Sequence, residues 1–433
     1  MQIKFLFLSL LIATASLRAA PNMDHPLTIC ELVDIALENH PATKKAWWNA
    51  NRAASALGSA KSAYYPQIDM SADIRNGVDF KFINGPDTSY TIVGANLLLS
   101  MMLYDFGQTS ANVSSAKMGL LAANWQNDWT IQKVMVKVLE NAYGTLHAQE
   151  TYEASLSALA DAAKVLETAQ ELNRAGLSPI ADVYTTQSTY AVMHMDVIQQ
   201  RAQLEIQVAK LASSLGLCAT TLLTLAPFDS LPAPTCQQTE ALIQLALEQR
   251  ADLMAQQARV AAMAYNQKRT TAANYPTISF AGRGGANHAF QDNTEAGQYM
   301  VSLNLEVPLF TGFELMYNNR QAYADTQLTL EECAELQLDI ALEVLTHSRT
   351  LQAVQEMLPD AEANLISSQK AYESTLERYK AGKEGIAEVS FSQRQLAAAR
   401  VRYSEVKTRW LVSLANLAYA TGTLNQDMES SCN

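Results

Sequence analysis

The sequence repeats itself at long range. Leu32-Val33-Asp34-Ile35-Ala36-Leu37-Glu38 returns as Leu242-Ile243-Gln244-Leu245-Ala246-Leu247-Glu248, and Tyr65-Pro66 returns as Tyr275-Pro276, both 210 residues on. Beyond that point the offset is 206. Leu103-Tyr104 matches Leu309-Phe310, Ala175-Gly176 matches Ala381-Gly382, and Gly216 matches Gly422. A period of about 200 residues is too long for a solenoid, whose units run to about 20–50 residues. Each half is therefore one architectural unit. The 433 residues should fold as two copies woven into one pseudo-symmetric body, not as unrelated domains.

Each half carries the same parts in the same order. An amphipathic helix comes first, over Thr28 to Ala63 and again over Thr239 to Ala273, with Pro41 kinking or dividing the first copy. Tyr-Pro ends it and opens a strand pair. Ile68, Met70, Ala72 and Ile74 alternate with Gln67, Asp69, Ser71, Asp73 and Arg75, and Val301, Leu303, Leu305 and Val307 with Met300, Ser302, Asn304 and Glu306. Period two gives each strand one apolar and one polar face. Asn84-Gly85-Pro86-Asp87 is the predicted turn of the first pair and Gln291 to Thr294 that of the second. Thr91 to Met102 is assigned to a strand by symmetry with its counterpart.

A very long helix follows. No proline lies between Asp87 and Ser178, and Val134, Val138, Ala142 and Leu146, then Leu156, Leu159, Ala163 and Leu166, recur at threes and fours. Thr109 to Arg174 would make a rod of about 100 Å at 1.5 Å per residue. Ala175-Gly176 stops it, Ser178-Pro179 opens a returning helix, and that helix runs to about Leu215. The second half repeats this from Glu314 to Lys380 and back to about Ala420, except that Pro359 stands where the first half has Glu153. A kink or break is expected there in the second copy only. The first repeat thus spans 28–217 and the second 239–424, with a Pro-rich linker at 218–238 and a polar tail at 425–433.

Residues 1–19 read as a secretory signal: Lys4 is the positive end, and Phe5 to Leu17 is too short to cross a bilayer. Removing Lys4 and Arg18 takes the net charge from −12 to −14, which excludes nucleic-acid binding through a basic patch. Five scattered cysteines without a CxxC exclude a disulfide scaffold and a zinc site, and a Cys218–Cys236 bridge is left open. Met193-His194-Met195 has soft-metal chemistry, but neighbours on a helix point about 100° apart and do not converge. No nucleophile–base pattern or phosphate-binding loop occurs, so neither catalysis nor a cofactor is expected.

Four amphipathic strands in an exported chain fit an outer-membrane barrel, but about eight strands are the smallest number that closes one. Several chains must then contribute: three would give twelve strands, two would give eight. Two hairpins stacked as a soluble sandwich is the competing reading. It would make the chain a secreted or periplasmic coiled-coil structural or adhesin-like protein.

In two copies, the order of Tyr-Pro, strand hairpin, Leu103-Tyr104-Asp105 or Leu309-Phe310-Thr311 with a neighbouring glycine, long helix and Ala-Gly turn resembles the TolC family of outer-membrane efflux proteins. The likeness covers Thr28 to Leu424. It implies a mainly helical trimer whose twelve-stranded barrel, four strands per chain, sits in outer-membrane lipid. A tunnel of helical hairpins would reach about 100 Å into the periplasm. It also implies partners: a periplasmic adaptor and an inner-membrane pump, for efflux or type I secretion through a passive duct.

The helix-hairpin tips are the candidate site. Asp182 and Glu388 lie 206 apart, so each would form a ring of three carboxylates in a trimer, unless each is simply a first-turn acid favoured by the helix dipole. By resemblance, Glu388 lines the tunnel entrance, and a second lining position falls on Phe391, where a hydrophobic constriction replaces a charge. Asp182 would tie the tip shut through a basic residue, but that position holds Glu384, with Lys383 beside it as the substitute. Tyr379 keeps an aromatic hydroxyl used in a similar link. Gly176, Leu177, Gly382 and Lys383 match the exposed tips that adaptors grip.

Overall fold

The computed structural model describes residues 25–79, 88–226, 238–290 and 293–424. The signal segment, the Asn84–Asp87 turn, most of the Pro-rich linker, part of the Gln291–Thr294 turn and the 425–433 tail lie outside the described residues.

The first repeat runs α1 (Ile29–Asn39), α2 (Pro41–Lys61), β1 (Gln67–Asp79), β2 (Thr88–Tyr104), α3 (Gln108–Arg174) and α4 (Ile180–Ser214). The second runs α5 (Thr239–Gln249), α6 (Ala251–Ala272), β3 (Thr277–Ala289), β4 (Thr294–Glu306), α7 (Glu314–Lys380) and α8 (Ile386–Thr421). Thr28 starts α1 through a capping box with Glu31. Those hydrogen bonds, the backbone one first, hold the Glu31 carboxyl down at about 2.

Pro41 divides the first helix as expected, with His40 extended between α1 and α2. The second copy was expected to run unbroken over Thr239 to Ala273, and it does not. Arg250 sits at φ −68°, ψ 124° between α5 and α6, without a proline. The Asp252 carboxylate accepts from the Leu253 N–H, at 2.9 Å, and takes two hydrogen bonds from the Arg250 guanidinium. Side chains hold here the break that proline imposes in the first repeat. Pro359, by contrast, does not break α7, which is continuous over 67 residues. One proline deletes a single N–H, and the packed helices on either side keep the rod together.

The four strands form one antiparallel sheet in the order β1-β2-β3-β4, which removes the sandwich. Pairing puts Ile68, Met70 and Ile74 on one face with Leu99, Leu97 and Val93. The same face continues through Phe280 to Leu303 and Ile278 to Leu305. Apart from Leu99, Phe280 and Ile278, these side chains are exposed, so the apolar face is uncovered in the single chain. The other face carries Asp73, Arg75, Asn96, Arg283, Asn287 and Gln298, with Asn96 bonded to Asp73 at 3.4 Å and to Gln298 at 3.5 Å. β1 and β4 are free edges of 13 residues each.

The strand-to-helix turn explains the glycine beside each Leu-aromatic motif. Two consecutive residues are left-handed in each repeat: Phe106 (φ 52°) and Gly107 (φ 89°), then Gly312 (φ 63°) and Phe313 (φ 69°). Glycine takes one position without strain and phenylalanine the other, in swapped order. Asp105 accepts from the Thr109 N–H at 2.6 Å and closes the first turn.

Among the described residues no helix is long and apolar enough to cross a membrane. The main core packs α1, α3, α4 and α8 around Leu32, Val138, Leu211 and Leu215. Cys218 carries a free thiol and Cys30 is in a disulfide, so the bridge considered for Cys218 is absent.

Candidate functional site at the helical tips

Both hairpins end in the same hydrogen-bonded stop. At the first, Gly176 N–H donates to the Asn173 carbonyl at 2.9 Å and Leu177 N–H to Leu172 at 2.8 Å. At the second, Gly382 N–H donates to Tyr379 at 2.9 Å and Lys383 N–H to Arg378 at 2.9 Å. These are Schellman pairs, which need a left-handed residue, and Gly176 (φ 75°) and Gly382 (φ 66°) supply it. A β-carbon on either glycine would meet nothing within 4 Å, so conformation rather than crowding selects glycine. Leu177 is 75% exposed and Lys383 is exposed too, which leaves both turns open to a partner.

Pro179 and Gly385 are the extended N-caps of α4 and α8, so Asp182 and Glu388 are each the third residue of their helix. Either carboxylate is favoured there by the unpaired N–H groups of the first turn. The structure separates their environments. The Tyr379 hydroxyl donates to the Asp182 carboxylate at 3.4 Å, joining the two hairpins of one chain. Tyr379 is buried among Val165, Tyr372, Leu376 and Val389, so the link is anchored in a small core. Burial first, then the Asp182 charge, pushes its phenol above the ordinary tyrosine value, and it stays a proton donor. Glu388 is exposed, and Phe391, one turn on and 53% exposed, shares its face of α8.

Lys383 does not take the place of the basic partner expected for Asp182, since it makes no ion pair among the described residues. Glu384 is neutralised instead by Arg378, six residues back across the turn, at 2.8 Å. Reading the sequence missed Arg378, and also Asn173, whose side-chain amide bonds the Ser178 carbonyl at 2.8 Å and pins the first turn. A cation and an acid six apart on either side of a glycine stop is the signal that could have found Arg378. Met193 is buried while His194 and Met195 are exposed, so that triplet does not converge. No cluster of metal-ligating side chains is present among the described residues.

Above the tips, polar bonds tie the first repeat to the second. Asp161 pairs with Arg400 at 3.1 Å and Glu150 with Lys407 at 2.7 Å. The Gln393 amide donates to the Ala158 carbonyl at 3.4 Å.

Residues 32–217 and 242–423 each match the sequence model for outer membrane efflux proteins. The chain is 24% identical over 408 residues to outer membrane protein TolC of Vibrio cholerae, covering 92% of this chain and 91% of that protein. It is 26% identical over 399 residues to protein CyaE of Bordetella pertussis, covering 90% and 83%. Among solved structures, the outer-membrane channel OprN superposes with a TM-score of 0.81 at 19% identity, covering 91% of this chain and 90% of that one. VceC of Vibrio cholerae superposes at 0.80 and 18%, covering 91% and 96%.

Proposed function

The chain belongs to the outer membrane efflux protein family and is an outer-membrane channel that extends into the periplasm; from that premise we propose how it assembles and gates. Three copies close a twelve-stranded barrel, and their helices continue it as one tunnel. The observation that carries this reading is the sheet. Its apolar face is exposed, and both edges expose a strand's worth of N–H and C=O groups. In hydrocarbon such groups cannot stay unpaired, so β4 of one chain must find β1 of another until the ring closes. Four strands per chain in three chains reach a closed, water-filled size, whereas eight strands enclose room only for side chains. A barrel strand needs about 9–11 residues to cross, and these have 13 to 17. Outer membranes run unheated on a denaturing gel should give a trimer that collapses to monomer on boiling. A monomer in the soluble fraction would refute the channel.

The duct itself is passive. An inner-membrane pump and a periplasmic adaptor deliver the cargo, and the turns at Gly176-Leu177 and Gly382-Lys383 are the surfaces the adaptor meets. Glu388 and Phe391 line the periplasmic entrance as a charged ring at the tip with an aromatic one a turn above it. The Tyr379–Asp182 bond holds the second hairpin against the first and keeps that entrance narrow. Tyr379→Phe removes the donor without changing the buried volume, and Asp182→Ala removes the acceptor. Each should raise single-channel conductance in planar bilayers several-fold, and the double variant should add little. Unchanged conductance in both would exclude the lock.

A further inference from the structure

Within each strand and each long helix the two repeats align in sequence without a gap. α3 and α7 are both 67 residues long and 206 apart throughout. The β1–β2 register begins Gln67 to Ser100 and the β3–β4 register Thr277 to Glu306, which reproduces the offsets of 210 and 206. Contacts between the repeats of one chain therefore predict contacts between chains: β2·β3 becomes β4 on the partner's β1, α3·α8 becomes α7 on the partner's α4, and α3·α6 becomes α7 on the partner's α2.

The residues at the open faces agree. Lys407–Glu150 inside the chain translates to Arg201 and Glu356, again a cation and an acid, both exposed in the single chain. Gln393 is 2% exposed; its mate Gln187 is the same residue, left exposed. Ser404, bonded to His147 at 2.9 Å, translates to Ile198, and His147 to Ala353, so a polar pair becomes an apolar one where Ile198 is now 59% exposed. Trp48 is 65% exposed although its mate Ala258 is 6% exposed. Helix α2 carries Lys44, Lys45, Arg52 and Lys61 and no acid, while α7 between Gln321 and His347 carries six acids and no lysine or arginine.

We infer that the ionic contact across the subunit joint in the tunnel wall is Arg201 with the partner subunit's Glu356, the translation by 206 residues of Lys407 with Glu150. In the barrel the β2–β3 pair Leu97–Gly284 becomes Leu303 opposite the partner subunit's Ile74. The occupant of these faces is a second copy of this chain, so the inference rests on the trimeric reading.

The test uses the full-length protein in outer membranes, with Cys218→Ser and Cys333→Ser to remove the free thiols among the described residues, and each single-cysteine variant as the control for cross-linking through any other thiol. Ile74→Cys with Leu303→Cys should give disulfide-linked ladders on a boiled non-reducing gel, since directly opposed residues lie close enough. Pairing of Leu303→Cys with Ala72→Cys or Asn76→Cys instead, in an intact trimer, overturns the register. Arg201→Glu should lower the temperature at which the unheated trimer band disappears, and Glu356→Arg in the same chain should restore it. A trimer indifferent to both reversals overturns the ionic contact alone. Absence of any trimer in the parent protein overturns the assembly reading itself, and this joint with it.

Discussion

Leu303→Arg should abolish the heat-sensitive trimer in outer membranes, whereas Asn304→Arg should leave it. The two positions are neighbours on β4 but point to opposite faces of the sheet. Leu303 lies with Phe280, opposite it on β3, on the uncovered apolar face, where an arginine facing hydrocarbon costs up to about 2–4 kcal/mol per chain, the more the deeper it lies. A trimer carries the substitution three times. Asn304 pairs with Ser279 on the polar side, where water can solvate the new charge. The measurement is the trimer band in membranes expressing each variant at equal level. Equal tolerance at the two sites would mean that this face does not meet lipid.

The other large effect is expected at Arg250, the residue between α5 and α6. Its side chain is 3% exposed. It forms a two-pronged pair with Asp252 at 2.8 and 3.1 Å, reaches Glu343 at 2.5 Å and the Ala420 carbonyl at 3.2 Å, and lies 4.8 Å over the Trp129 ring. Trp129 belongs to the first repeat, so this cation ties the two copies together at the middle of the body. Arg250→Ala leaves Asp252 without its counter-charge and opens the helix break. Deleting one partner of a buried pair costs about 3–5 kcal/mol, and the low end applies because Glu343 remains partly solvated. Arg250→Lys keeps the charge but loses the fork, and should fall between. Protease resistance against temperature, in membranes, reads the order wild type, then Lys, then Ala. A trimer with Arg250→Ala that resists like wild type would show that the break is held by something else.

Much of the fold was legible because periodic patterns report on single elements. The stop at Gly382 and the start at Glu314 could be placed from glycine chemistry and helical spacing alone. Side-chain partnerships were less legible. Tyr379 and Asp182 are 197 residues apart, and only the packing of α7 against α8 and α3 brings the hydroxyl to the carboxylate. Glu384 looked like a repulsive intruder because it stands where a basic partner for Asp182 was expected, but the turn swings Arg378 to it. The break at Arg250 was invisible because no proline marks it. It depends on an acid two residues on and another 93 residues away.

By itself the sequence determined the twofold plan, the order of elements in each copy, and strands with one apolar and one polar face. Those follow from local spacing, which the backbone geometry of helix and strand converts directly into faces. The tertiary structure decided the single four-stranded order, the uninterrupted α7 through Pro359, the Arg250 hinge and the link between the tips. Each of these balances a local preference against contacts made far along the chain, and only the folded packing sets that balance.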